Sequence, residues 1–146
     1  MEFKWINDPS PVWNEIKDYM IDEEGELRKE GKFLGGYEDG KLVAAFEIRP
    51  WTTYCYEIHG GLHPSCFGRG KEICTEMGLT LFRNTPCLKI VAIVPEYNKK
   101  MRNCLVACGL NQEGVIKSAF LRYMRLHDLY VYGITRGEAI ECHQQL

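Results

Sequence analysis

The sequence predicts a mixed α/β fold, a sheet with helices packed against it, and three stretches carry that expectation. Phe33 to Tyr37, the pair Asp39-Gly40 and Lys41 to Ile48 have the β-formers and turn signal of a hairpin. Leu88 to Val94 is an almost continuous apolar, β-branched run, as expected of a central strand covered on both faces. Between them, Tyr54 to His59 reads as a strand, Gly68-Arg69-Gly70-Lys71 as a turn, and Ile73, Met77 and Leu81 stack on one face of a helix.

The remaining elements follow in order. Phe3, Trp5 and Ile6 suggest a short first strand. After Asp8-Pro9, Ser10 is suited to cap a helix with Pro11 in its first position. That helix takes its apolar face from Val12 or Trp13 with Ile16 and Met20. The run Asp22 to Glu26 reads as a solvated acidic break. The strand from Tyr54 runs into Gly60-Gly61, a pair that implies a bulge or the close approach of another backbone. The helix after the glycine turn ends near Asn84-Thr85-Pro86. Asn98 to Cys108 is a second helix, with Met101, Leu105 and Cys108 on one face and Gly109 as its stop. Val115 to Leu121 and Leu129 to Ile134 are two last strands joined by a polar connection, Arg122 to Asp128. From Arg136 onward no pattern is strong. The order is β-α-β-β-β-α-β-α-β-β, with no linker or repeat, so residues 1–146 are expected to form one domain.

Composition narrows the function classes. The chain has 45% hydrophobic and 26% charged residues and a net charge of −2, ordinary for a globular protein and poor for general nucleic-acid binding. No eighteen-residue apolar run suggests a membrane span, and the N-terminus lacks the apolar core of a secretory signal. The seven cysteines contain no Cys-x-x-Cys and are expected to be free thiols in a reducing, cytoplasmic compartment; no metal site is expected.

The glycine turn carries the first candidate chemistry. A strand, a glycine turn and a helix start present free N–H groups and the positive end of a helix dipole to an anion. Gly68 and Gly70 would let the backbone approach a pyrophosphate, with Arg69 and Lys71 adding charge. Glu57 and His59 share one face of the preceding strand, so either could act as a base, directly or through water.

These residues resemble the GNAT superfamily of acetyl-CoA-dependent N-acetyltransferases. That family has a turn of pattern Gln/Arg-x-x-Gly-x-Gly/Ala, and Ser65-Cys66-Phe67-Gly68-Arg69-Gly70 keeps its two glycines. If Pro64 matches the family's frequent proline instead, Gly70 becomes the first glycine and Glu72 takes the place of the second. The family's later Asn-x-x-Ala-x-x-Leu-Tyr-x-x-x-Gly-Phe is similar to the stretch from Asn98 through Met101, Cys104 and Leu105 to Gly109-Leu110. Glu113-Gly114 and Tyr132 to Arg136 look like the ribosomal-protein-alanine acetyltransferase branch.

The resemblance implies a mixed, mostly antiparallel central sheet flanked by helices, and acetyl-CoA as co-substrate. It implies a cofactor site at Leu62, Gly68, Arg69, Gly70, Lys71 and Asn98, with an amine or protein N-terminus as acceptor. The family's proton-donating Tyr corresponds to Leu105, leaving Tyr97 as the nearest hydroxyl in sequence and a third candidate beside Glu57 and His59. The altered motifs and the segment Asn84 to Pro95 are also similar to small GNAT-like proteins of tailed bacteriophages. That likeness implies the alternative of an inactive binding protein in head assembly or DNA transfer, with phage structural proteins as partners and a host-cytoplasm or virion location.

Overall fold

The computed structural model describes residues 1–8 and 31–143. The expected first helix, with Ser10, Pro11, Val12, Trp13, Ile16 and Met20, and the acidic run from Asp22 to Glu26 lie outside them. The described strands are β1 (Glu2–Ile6), β2 (Lys32–Glu38), β3 (Lys41–Pro50), β4 (Cys55–Leu62), β5 (Lys89–Pro95), β6 (Asn111–Arg122) and β7 (Arg125–Thr135). The helices are α1 (Gly70–Asn84), α2 (Lys99–Ala107) and α3 (Arg136–His143). The strands form one mixed sheet in the order β1-β2-β3-β4-β5-β7-β6, antiparallel at every seam but β4–β5. This is the mostly antiparallel α/β architecture expected.

Local signals act where they stand. Asp39 and Gly40 both take positive φ (50° and 78°), turning β2 tightly into β3. Ile73, Met77 and Leu81 of α1 are buried against the core that Phe46, Ile58 and Ile90 raise from the sheet. The α1 C-terminus is closed by Thr85, whose hydroxyl donates to the Leu81 carbonyl at 2.6 Å. Asn98 caps α2 by accepting from the Met101 N–H at 3.2 Å. Gly109, at φ +98°, ends it in a Schellman arrangement: its N–H reaches the Val106 carbonyl and the Leu110 N–H the Leu105 carbonyl, both at 3.0 Å.

Three expectations need correction. The Gly60-Gly61 pair makes no bulge, because β3–β4 pairing is unbroken from Ala44↔Leu62 to Pro50↔Tyr56. Gly60 is instead overlain by a side chain, since a Cβ there would stand 2.7 Å from the Phe46 ring. The Arg122 to Asp128 connection is strand for most of its length, and β6 turns into β7 over Tyr123 and Met124 alone. A further helix, α3, follows β7 where no pattern was apparent. Its start is a capping box: Glu138 accepts from the Thr135 N–H (3.0 Å) and donates its own N–H to the Thr135 hydroxyl (3.1 Å).

The feature that positions a site is the one parallel seam. β4 and β5 pair only at Cys55↔Lys89, Tyr56↔Ile90 and Glu57↔Val91, and then stop pairing. Beyond Glu57 the two strands flank a gap. Ile58, Gly60, Ala92 and Val94 from the strands and Met101 and Leu105 from α2 line an apolar cavity of about 80 Å³ there.

Candidate functional site

The gap exposes a strand edge. On β4, His63 donates its N–H to the Val43 carbonyl of β3 at 2.8 Å, so odd-numbered peptides face β3. The Tyr54 carbonyl accepts from Leu88 and Lys89 on the other side at 2.8 and 3.0 Å, so even-numbered peptides face β5. By that alternation the Glu57↔Val91 pair takes up the Ile58 N–H, and the peptide groups of Gly60 and Leu62 beyond it point into the gap, where the seam supplies no ladder partner among the described residues. Such an edge can hydrogen-bond an extended ligand laid along it.

An acid–imidazole pair sits at the apex. Glu57 stands on the last β4–β5 pair, and its side chain is buried. One carboxylate oxygen, Oε1, accepts from the Trp51 indole N–H at 2.9 Å, while Oε2 is in hydrogen-bond contact with His59 Nε2. Arg49 lies 3.7 Å from Oε2 and grips Glu47 with two further bonds, at 2.6 and 3.0 Å. The His59 hydrogen bond, reinforced by the Trp51 donor and the Arg49 charge, holds the Glu57 carboxyl below the usual range despite opposition from burial. An ionised carboxylate only accepts, so a neutral His59 must carry its proton on Nε2, leaving Nδ1 as the basic atom. A proton taken at Nδ1 yields an imidazolium beside a fixed carboxylate. Glu57 and His59, expected to share a face, therefore form one unit. Glu47, Arg49 and Trp51 belong to it and were not foreseen. Glu47-x-Arg49 and Glu57-x-His59 each alternate onto one face, but only the β3–β4 register, with Arg49 opposite Glu57 and Glu47 opposite His59, joins them.

At the other end of the gap lies the glycine turn. Gly68 has φ +91°, and Gly70 is the first residue of α1. A Cβ on Gly70 would approach Cys104 Sγ at 3.3 Å and Leu62 Cδ1 at 3.7 Å, so the turn packs closely on α2 and the end of β4. The first-turn N–H groups of α1 have no intrahelical acceptor. Glu72 points from this turn to Arg69 at 3.1 Å, and Arg69 also meets Glu38 of β2 at 2.6 Å. Hydrogen bonds to Glu38 and then Glu72 raise the Arg69 pKa, and the same guanidinium lowers both carboxyls. The charge expected to face an anion is thus already shared by two carboxylates, while Lys71 is exposed.

The remaining candidates separate. Asn98 starts α2 across the gap from the start of α1, with its Oδ1 occupied as the helix cap. Leu105, in the family's tyrosine position, is buried and lines the cavity. Tyr97 lies beyond the other edge of β5. Its hydroxyl accepts from Arg122 at 2.9 Å, and its ring packs edge-on against His127 of β7 at 4.9 Å. It is not brought to Glu57 and His59 on β4.

Solved structures share this architecture. A chimera of the Vibrio cholerae spermidine N-acetyltransferase SpeG with hSSAT superposes with a TM-score of 0.80 at 14% identity, covering 97% of this chain and 99% of that one. The Vibrio cholerae spermidine N-acetyltransferase in complex with CoA and spermine gives 0.79 at 14% identity, over 95% and 97% of the two chains. A GNAT-family acetyltransferase from Bacillus anthracis gives 0.61 at 19% identity, over 73% and 66%. At these identities the likeness establishes the fold. No family model matches the sequence, and no curated protein does.

Proposed function

We propose that this chain is an acetyl-CoA-dependent N-acetyltransferase with a primary amine, such as a protein N-terminus, as acceptor. The observation that carries the reading is the unpaired β4 edge running from the Glu57–His59 pair toward the glycine turn. A solved neighbour of the same fold binds CoA and spermine, which supports the reading by analogy. Acetyl-CoA would supply an activated thioester. The first-turn N–H groups of α1, with Gly68 and Gly70 keeping side chains away, suit its pyrophosphate, and Leu62, Lys71 and Asn98 border the same path. The β4 peptide N–H groups in the gap suit its amides and the carbonyl oxygen on which charge develops. His59 Nδ1, oriented by Glu57, would take the proton from the attacking amine, directly or through a water.

A second reading, a GNAT-like phage protein kept for binding in head assembly or DNA transfer, is favoured by one observation. Leu105 offers no proton to a leaving thiolate, and Tyr97 is engaged elsewhere. Calorimetric titration with acetyl-CoA and with CoA, followed by thiol release in the presence of an amine panel, separates the two. The enzyme reading expects binding near or below about 100 μM and amine-dependent release. Binding without release would favour the second reading, and no binding at about 1 mM of either ligand would remove the first. Gly68→Asp and Gly70→Asp should each weaken binding. Unchanged affinity in both folded variants would place the pyrophosphate elsewhere.

A further inference from the structure

Three cysteines meet where α1 crosses α2. Cys74 is on the second turn of α1, and Cys104 and Cys108 are one turn apart on α2 and its C-cap. The Cys108 thiol points at α1, with Sγ 3.6 Å from the Lys71 carbonyl. Cys74 and Cys108 both line the cavity between the helices and the sheet. Cys104 Sγ stands over Gly70, within 3.3 Å of where a Cβ would be. All seven thiols of the chain are free. Among the described residues no group of His, Cys, Asp or Glu is arranged to hold a metal ion, so a ligand role does not account for this clustering.

We propose that Cys74 and Cys108 form a peroxide-oxidisable dithiol that closes a reversible disulfide between α1 and α2. The Cys108 sulfur is the better nucleophile. Hydrogen bonds from Cys104 and Cys74, then one from Thr75 and the electrostatic influence of nearby His143, favour its thiolate against burial, while Cys104, Cys108 and burial push Cys74 the other way. His143 also holds the Cys108 carbonyl at 3.0 Å, fixing the residue at the end of α2. In the first step the Cys108 thiolate attacks hydrogen peroxide, forming an S–O bond as the O–O bond breaks and hydroxide leaves. In the second, the Cys74 sulfur displaces water from the Cys108 sulfenic acid, and its proton goes to the departing oxygen. Two thiols and one peroxide thus give one disulfide and two waters. Cys104 is not consumed. Its position at the first turn of α1 leaves it to donate to the Cys108 thiolate. The bridge would pin the second turn of α1 to the end of α2 across the cavity. The inference stands apart from the CoA reading.

The test uses the reduced full chain. It is treated with about one equivalent of hydrogen peroxide, unfolded, alkylated with N-ethylmaleimide and weighed, and the tryptic peptides are then mapped. Two of the seven thiols should escape alkylation, linking the peptide between Lys71 and Arg83 to the one between Arg102 and Lys117. Dithiothreitol should restore both. The variant Cys104→Ser should still form the bridge, while Cys74→Ser and Cys108→Ser should lose it. Circular dichroism before oxidation confirms that each variant is folded; if one is not, fragmentation of the linked wild-type peptide, which carries both Cys104 and Cys108, decides the case by showing which of the two bears N-ethylmaleimide. Any other connectivity, a bridge surviving in folded Cys74→Ser, or oxidation of wild type to sulfinic acid with no bridge would overturn the proposal.

Discussion

Replacing Gly60 by alanine should destabilise the protein through a single contact. A Cβ at this position stands 2.7 Å from both Cδ1 and Cε1 of Phe46, whereas ordinary contact begins near 3.4 Å. The ring must therefore retreat by most of an ångström, and Phe46 is 2% exposed, with Ile58 and Leu79 beside it on the same cavity wall. Overpacking of that kind costs about 1–3 kcal/mol. Against it, removing a glycine from a strand interior returns about 0.5–1 kcal/mol. The net expectation is a loss of about 1–2 kcal/mol, a fall in Tm of roughly 3–6 °C for a chain of this size. Urea unfolding of wild type, Gly60→Ala, Phe46→Leu and the double variant measures it. Leucine lacks the ring edge that the new methyl strikes, so the double variant should be more stable than the sum of the single losses by about 0.5–2 kcal/mol. A Gly60→Ala protein as stable as wild type, or a cycle additive within about 0.3 kcal/mol, would refute the claim that the Phe46 ring is why glycine stands there.

Further outcomes follow from the site. Glu57→Gln should cost about 1–3 kcal/mol at neutral pH, because Arg49 and His59 lose their charged partner. The Glu57 pKa is lowered on folding, so its contribution is present above the ordinary 4.5 and lost as pH falls through the folded value. Urea midpoints measured from pH 6 downward should therefore decline less steeply in Glu57→Gln than in wild type. Trp51→Phe removes one donor to Glu57 and should cost about 0.5–1.5 kcal/mol by the same unfolding assay. Gly68→Ala meets no atom within 4 Å, so its cost is conformational, about 1–2 kcal/mol from φ +91°. Glu72→Gln should lower the unfolding midpoint slightly, since a first-turn carboxylate and its Arg69 bond are lost, yet tighten CoA binding about two- to five-fold in calorimetry, by removing a charge of the same sign as the phosphates.

Legibility in the sequence tracked how local the cause was. The Asp39-Gly40 turn, the Ile73–Met77–Leu81 face and the Gly109 stop are each settled within one or two turns of chain, and each stands where it was expected. The β6–β7 turn was obscured because Tyr123 and Met124 occupy its two left-handed positions, at φ 51° and 58°, where Asn or Gly gives the usual signal. The start of β6 goes unread because Asn111 to Gly114 are polar or glycine and carry no apolar alternation, although Asn111 and Gln112 pair with Gly133 and Tyr132. For α3 the Thr135-x-x-Glu138 capping box is a signal on its own, with no amphipathic run after it to mark a helix. The Glu47–Arg49 half of the site depends on cross-strand register, which no single-strand pattern reveals. The pairing of Arg69 with Glu38 depends on a residue thirty-one positions away.

The three-pair seam between β4 and β5 also has a mechanical meaning. It divides the sheet into a block of β1 to β4 and a block of β5, β7 and β6, each stitched by long antiparallel ladders. The chain passes from one block to the other only once, through Thr85 to Leu88 after α1. A cut in that connection would yield two fragments, each retaining its own ladders intact. Co-expressed, they should find each other and reassemble, which would make this fold a natural scaffold for a split reporter whose two halves close on the cavity between them.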